Sequence, residues 1–309
     1  MNIYEAIQHT RWKSAPTMTA TVSQQSRSAL TAAAVLSAIG LLINFPTLVW
    51  LVGMWNSNAD YSHGFIVPVI SGYLLYHRRS LLENLNPERH GTVAMVGGSV
   101  LILLALAFKS FGIYSSIPTL EAFALIPLLL GIVLLCCGFK SLYWAAPAIL
   151  FLVFMIPLPS VVSGMLSSQL QRIATIAATY VLQTIGIPAV YNGNLITLST
   201  ETVGVAEACS GIRMLYSFFA LSVGLCLVTD RPLWERIVLC FSAAGIAVAA
   251  NLIRIVMTAL AYEFGNAELA DKIFHDFAGY LMMPIAMVFL WLEMLFLERV
   301  FVQDRSRIA

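Results

Sequence analysis

Charge is scarce in this sequence. Only 11% of its 309 residues are Asp, Glu, Lys or Arg, against 59% apolar ones, and the mean hydropathy is +0.84. A soluble domain carries roughly 25% charged residues, so this chain lacks the means to cover a water-facing surface, and a soluble enzyme is excluded. Disorder is excluded by the same apolar excess. A net charge of +1 gives no electrostatic ground for a nucleic-acid partner. Phosphate-binding and dinucleotide fingerprints are lacking, as are an HExxH pair and any His, Cys and carboxylate cluster at metal-ligand spacing. No metal or cofactor is therefore expected.

What is present is long apolar runs. A membrane helix needs about 20 mostly apolar residues, and that length predicts eight spans near 29–55, 65–76, 93–108, 117–138, 142–158, 209–228, 237–262 and 277–297. With the N-terminus inside, 12 of the 17 basic residues fall on the inner side. Lys109, Arg172, Arg213, Arg254 and Lys272 are the exceptions. That bias predicts both termini inside. The expected fold is an all-α polytopic membrane protein, with residues 1–28 and 299–309 as cytoplasmic tails around one catalytic domain, 29–298. Gly97 and Gly98 have the character of helix-packing positions.

Residues 159–207 must begin and end outside in this topology. Within 161–186, Val162, Leu166, Ile173, Ile176 and Tyr180 share one side, and Ser168, Arg172, Thr175 and Thr179 share the other. The pattern predicts an amphipathic helix in the outer interface, with a re-entrant pair of half-helices as the alternative. Asn192-Gly193-Asn194 between Ala189–Tyr191 and Leu195–Leu198 predicts a β-hairpin, and Thr202–Ala206 a further extended piece. Together these form an outer cap.

Five cysteines are present. Cys136, Cys137, Cys226 and Cys240 fall toward inner span ends, where they pack as small apolar side chains. Cys209 alone falls at the outer surface. It opens a helix, and Arg213 lies four residues on along the same side; a helix N-terminus and a guanidinium both favour thiolate. A cysteine nucleophile needs a base and an oxyanion stabiliser. Of the five histidines, His9, His77 and His90 are assigned to the inner side, which leaves His63 and His275. Arg254, in Asn251-Leu-Ile-Arg254, is an ionisable group inside an apolar span. Such a group faces a partner or polar cavity, or snorkels to the headgroups. The topology puts Cys209, Arg254 and His275 at one outer level from three successive spans. Asp60-Tyr-Ser-His-Gly64 serves either as a loop and helix cap or as a lining of the same outer cavity.

These residues carry a resemblance. Glu207-Ala-Cys-Ser-Gly-Ile-Arg213, Asn251-Leu-Ile-Arg254 and His275-Asp-Phe-Ala-Gly279 resemble the nucleophile, arginine and histidine motifs of the exosortase/archaeosortase family of membrane cysteine transpeptidases. Asp60–Gly64 and Pro157-Leu-Pro159 match its N-terminal half, so that the similarity spans roughly 45–298. The resemblance implies Cys209 as nucleophile, His275 as general base and acid, and Arg254 as stabiliser of the tetrahedral oxyanion. Arg213, Glu207, His63, Asn251 and Arg172 are the expected substrate-binding or supporting residues. The implied substrates are exported proteins with a PEP-CTERM-like tail: a Pro-Glu-Pro-like motif, a membrane helix and a basic cluster. The acceptor is water, an envelope glycan or a lipid, and the implied location is the bacterial inner membrane. The competing reading is a transporter or polysaccharide-assembly component without peptidase activity.

Overall fold

The computed structural model describes residues 24–83, 91–199, 201–205, 211–229, 231–265 and 278–300. It is helical apart from one small sheet. Helix α1 (Gln24–Ile43) and helix α2 (Phe45–Ser57) form a pair bent by 69°. The first predicted span is therefore broken near its middle. Pro46, at the start of α2, cannot donate the hydrogen bond that would continue α1. The exposed polar groups are met locally: Asn44 Nδ2 donates to Gly40 O at 2.7 Å. Lys109 Nζ donates to Asn44 Oδ1 at 2.7 Å and to Ile43 O at 3.3 Å. A cation on the carbonyl end of α1 also suits the helix dipole.

A 3-10 segment, Ala59–Phe65, leads into α3 (Val67–His77), and α4 (Thr92–Ser115), α5 (Pro118–Phe123) and α6 (Leu125–Phe151) follow. The 3-10 turn Leu152–Met155 ends α6. Gly138 lies inside α6 at φ 77°, ψ −177°, which is not helical. The contacts show that the chain folds back there. Thr47 on α2 bonds Glu121 and Trp55 on α2 bonds Met155, although Thr47 and Trp55 are only about 12 Å apart along α2. A straight helix would separate Glu121 and Met155 by about 51 Å. Two legs meet at Gly138. Arg78 bonds Tyr143 O and Cys137 bonds Ala29 O beside this reversal, whereas Trp55, His63 and Met155 sit at the far end of the second leg.

The first leg packs closely on α4. A Cβ on Gly98 would lie 2.9 Å from Gly131 O, and one on Gly131 would lie 2.9 Å from Gly98 O, so neither position has room for a side chain. The second leg packs on α3, where Ser71 donates to Ala148 O at 2.7 Å and Trp144 to Leu75 O at 3.2 Å.

Helix α7 (Ser160–Thr184) is one unbroken helix, so a re-entrant pair of half-helices is not what forms. Only the C-terminal part of its polar side is turned inward: Thr175 and Thr179 are buried, with Ala174, Ala178 and Leu182, whereas Ser168 and Arg172 are exposed. Val162, Leu166, Ile173, Ile176 and Tyr180 are exposed. Strands β1 (Val190–Asn192), β2 (Leu195–Thr197) and β3 (Thr202–Gly204) form an antiparallel sheet in that order. The turn is Gly193–Asn194 with Gly193 at φ 63°, the first-position glycine of a type II′ hairpin. The third extended piece thus joins the hairpin as a strand. Gln171 Oε1 accepts from Asn194 at 2.9 Å and Gln183 donates to Ala189 O at 2.8 Å, pinning the sheet to α7.

Helices α8 (Gly211–Val228), α9 (Leu233–Phe264) and α10 (Ala278–Val300) complete the chain. Among the described residues three helical stretches are long and apolar enough to cross a membrane, or four counting the bent pair. Leu215–Val228 and Met287–Leu297 are shorter apolar helices.

Candidate active site

Four consecutive carbonyls mark the end of the second leg. A helix C-terminus leaves its last carbonyls without intrahelical donors, and here Pro157 follows at once. Tyr216 OH donates to Val153 O and Ile156 O, each at 3.2 Å. Trp55 Nε1 donates to Met155 O at 2.8 Å. His63 Nε2 meets Phe154 O at 3.1 Å. A carbonyl only accepts, so His63 carries its proton on Nε2, and Nδ1 is left to accept from Ser217 Oγ at 3.1 Å.

The remainder of the Asp60–Gly64 motif supports this arrangement. Asn58 Oδ1 caps Asp60 N at 2.9 Å and starts the 3-10 segment. Tyr61 is buried and hydrogen-bonded to the side chain of Ser163 and the backbone of Leu158. Gly64 lies directly against the Trp55 indole, with no room for a Cβ. The ring of Tyr216 meets His63 edge-on at 5.2 Å and Phe154 at 5.8 Å. Burial holds the His63 imidazole below its ordinary range, against the opposing pull of the Phe154 carbonyl and of Asp60. His63 is therefore an internal, neutral, doubly bonded group.

Arg254 and Asn251 project from the second half of α9. Both are buried, at 7% and 3% exposure, so Arg254 does not snorkel. Its Nη2 donates to Asn251 Oδ1 at 3.2 Å, and its buried Nε has no hydrogen-bond partner among the described residues. A buried guanidinium nitrogen without a partner is costly. Ile255, next to Arg254, belongs to an apolar cluster with Ala174 and Ala178 of α7, Ile196 and Val203 of the sheet, and Val205. Val205 is the last described residue before the stretch that holds Cys209, and Gly211 opens α8 beyond it. The strand that delivers the cysteine segment is thus packed on the helix that carries the arginine.

Cys209, Glu207 and His275 lie outside the described residues, and Arg213 is placed only as backbone in the first turn of α8. Arg172 is exposed on α7 and does not join the buried surroundings of Arg254. Tyr216 and Ser217 did not emerge from the sequence as functional residues. Their signal was positional: they follow Cys209 by seven and eight residues in the chain.

The transmembrane exosortase family model matches residues 55–292. The chain belongs to the transmembrane exosortase family. No curated protein and no solved structure matches it. The match begins at Trp55, whose indole bonds one carbonyl of the cluster, and ends within α10. It takes in His63, Arg172, Glu207, Cys209, Arg213, Asn251, Arg254 and His275 alike. Exosortase membership makes this an integral membrane protein with a role in processing the sorting signals of exported proteins, in a family associated with cysteine peptidase or transpeptidase activity.

Proposed function

We propose that this exosortase cleaves the C-terminal sorting tail of exported proteins through a thioacyl enzyme on Cys209, at the outer face of the bacterial inner membrane. Its transmembrane domain, 29–298, is oriented with both termini inside. His275 takes the thiol proton, and the thiolate attacks the scissile carbonyl carbon. The resulting oxyanion is stabilised by Arg254, and His275 returns the proton to the departing amine of the tail. Water, or an amine or hydroxyl of an envelope glycan or lipid, then attacks the thioester and frees the cargo while Cys209 regains its proton. Glu207, Arg213 and Arg172 are assigned to substrate binding around this centre.

One observation carries the reading: a buried guanidinium whose Nε has no hydrogen-bond partner among the described residues, on the helix against which the strand leading to Cys209 is packed. In a low-dielectric site such a group is worth most where charge develops in the transition state. The test is Cys209→Ala, expressed with an exported reporter ending in a Pro-Glu-Pro motif, an apolar helix and a basic cluster. The variant should accumulate to the normal membrane level with the reporter uncleaved. Cleavage at the normal rate would end the nucleophile assignment and leave a transporter or assembly component as the better reading.

A further inference from the structure

The His63 cluster performs a task that the acyl-transfer scheme does not include. We propose that His63 is a positioning residue for the helix that follows Cys209 in the chain: it locks the start of α8, through Ser217, to the carbonyl end of the second leg of α6. The inference rests on Cys209 being the nucleophile, because its consequence is felt there.

Both ring nitrogens of His63 are committed, one to Phe154 O at 3.1 Å and the other to Ser217 Oγ at 3.1 Å. A general base needs a free nitrogen within reach of the proton it takes, and His63 has none without breaking this bridge. Its partners say what the bridge connects. Phe154 belongs to a turn whose neighbouring carbonyls are held by Trp55 and Tyr216, and Trp55 is itself pressed on Gly64. Ser217 and Tyr216 are adjacent on α8, so two successive residues of that helix grip the same turn, one through His63 and one directly. Tyr216 and Ser217 follow Cys209 by seven and eight residues in the chain. Fixing a helix that close to its reactive residue fixes the height of the sulfur against the scissile carbonyl, and an error of 1 Å in such geometry costs about 100-fold in rate.

The experiment uses the full-length enzyme in its membrane, with the tailed reporter as substrate and a membrane-impermeant maleimide as a probe of Cys209 that does not depend on turnover. The variants are His63→Phe, His63→Gln, Ser217→Ala and the His63→Phe/Ser217→Ala pair. A glutamine amide donates through its nitrogen and accepts through its oxygen, so it reproduces the bridge without an imidazole. His63→Phe should lower kcat about 100-fold, leave KM within about threefold, and change the rate of Cys209 alkylation severalfold. His63→Gln should recover to within about tenfold of the parent, and Ser217→Ala should lose about tenfold. The pair should be no worse than His63→Phe alone, since both changes cut one bridge.

If His63→Gln is as inactive as His63→Phe at a normal membrane level, the imidazole itself is needed and positioning is overturned. Unchanged kcat and alkylation in Ser217→Ala also overturn it; this small change keeps the test open should His63→Phe fail to accumulate. Persistent cleavage in Cys209→Ala would instead remove the nucleophile reading. A His63-dependent alkylation rate would then still show the bridge acting on the start of α8.

Discussion

Asn251 Oδ1 accepts a hydrogen bond from Arg254 Nη2 at 3.2 Å, three residues along one helix, with both side chains buried. The amide fixes one corner of the guanidinium fork, and the Nε has no partner among the described residues. If that nitrogen meets the oxyanion, Arg254→Gln should reduce single-turnover tail cleavage by about 10²- to 10³-fold with substrate binding little changed. Arg254→Lys should recover little of this, because a point-charge ammonium lacks the planar fork. Asn251→Ala should cost about tenfold, as the guanidinium survives but is no longer oriented. Equal rates for Arg254→Gln and the parent would remove Arg254 from the reaction.

Cysteine accessibility tests both the orientation and the nucleophile. Cys226 and Cys240 face each other with sulfurs 4.0 Å apart between α8 and α9, and Cys137 bonds Ala29 O beside the Gly138 reversal. On intact cells, a membrane-impermeant maleimide should label the parent chain once and Cys209→Ala not at all. Labelling of Cys136 or Cys240 would overturn the inside assignment of both termini.

The sequence carried the helical character, the hairpin and the motif order, because each is a local signal. Gly193 supplied the positive φ of the hairpin turn, and the 3.6-residue period of 161–186 marked α7. Periodicity does not say which side a helix buries when lipid, not water, is the solvent: Thr175 and Thr179 turned inward and Ile173 and Tyr180 outward. Hydropathy does not show the bend after Ile43, because the single polar Asn44 is averaged into a long apolar run, although Pro46 stands there in the sequence. At the site, Arg254 stood out as a cation in an apolar span. The His63 bridge did not, because its two partners lie 91 and 154 residues away in the chain, and no spacing rule reaches that far.

Two glycines give a matched test of the packing around this bridge. A Cβ at Gly64 would collide with the Trp55 indole, whereas one at Gly53 on α2 meets nothing within 4 Å. Gly64→Ala should destabilise the detergent-solubilised protein by about 1–3 kcal/mol, seen as a lowered thermal midpoint. Gly53→Ala, in a helix interior, should be neutral or stabilising by about 0.5–1 kcal/mol. Equal midpoints for the two variants would contradict the placement of Trp55 over Gly64.

Acid should loosen the same region, and the sign follows from the imidazole. Burial depresses the folded pKa of His63 below the ordinary value near 6.5. Asp60 on its own segment opposes that shift, and the tyrosine whose ring meets it, Tyr216, is neutral in this range. Between the folded and unfolded pKa values the unfolded chain binds the extra proton, so stability rises with pH there. The His63 contribution is thus complete above about pH 6.5 and is lost progressively as pH falls toward the folded value. Once protonated, Nδ1 is a donor and no longer accepts from Ser217. Thermal midpoints of the parent should therefore fall from pH 7 to pH 5 more steeply than those of His63→Gln, which has no group titrating at that position. Parallel curves would mean that His63 takes up its proton in the fold as readily as in water, and that the bridge to Ser217 does not hold it neutral.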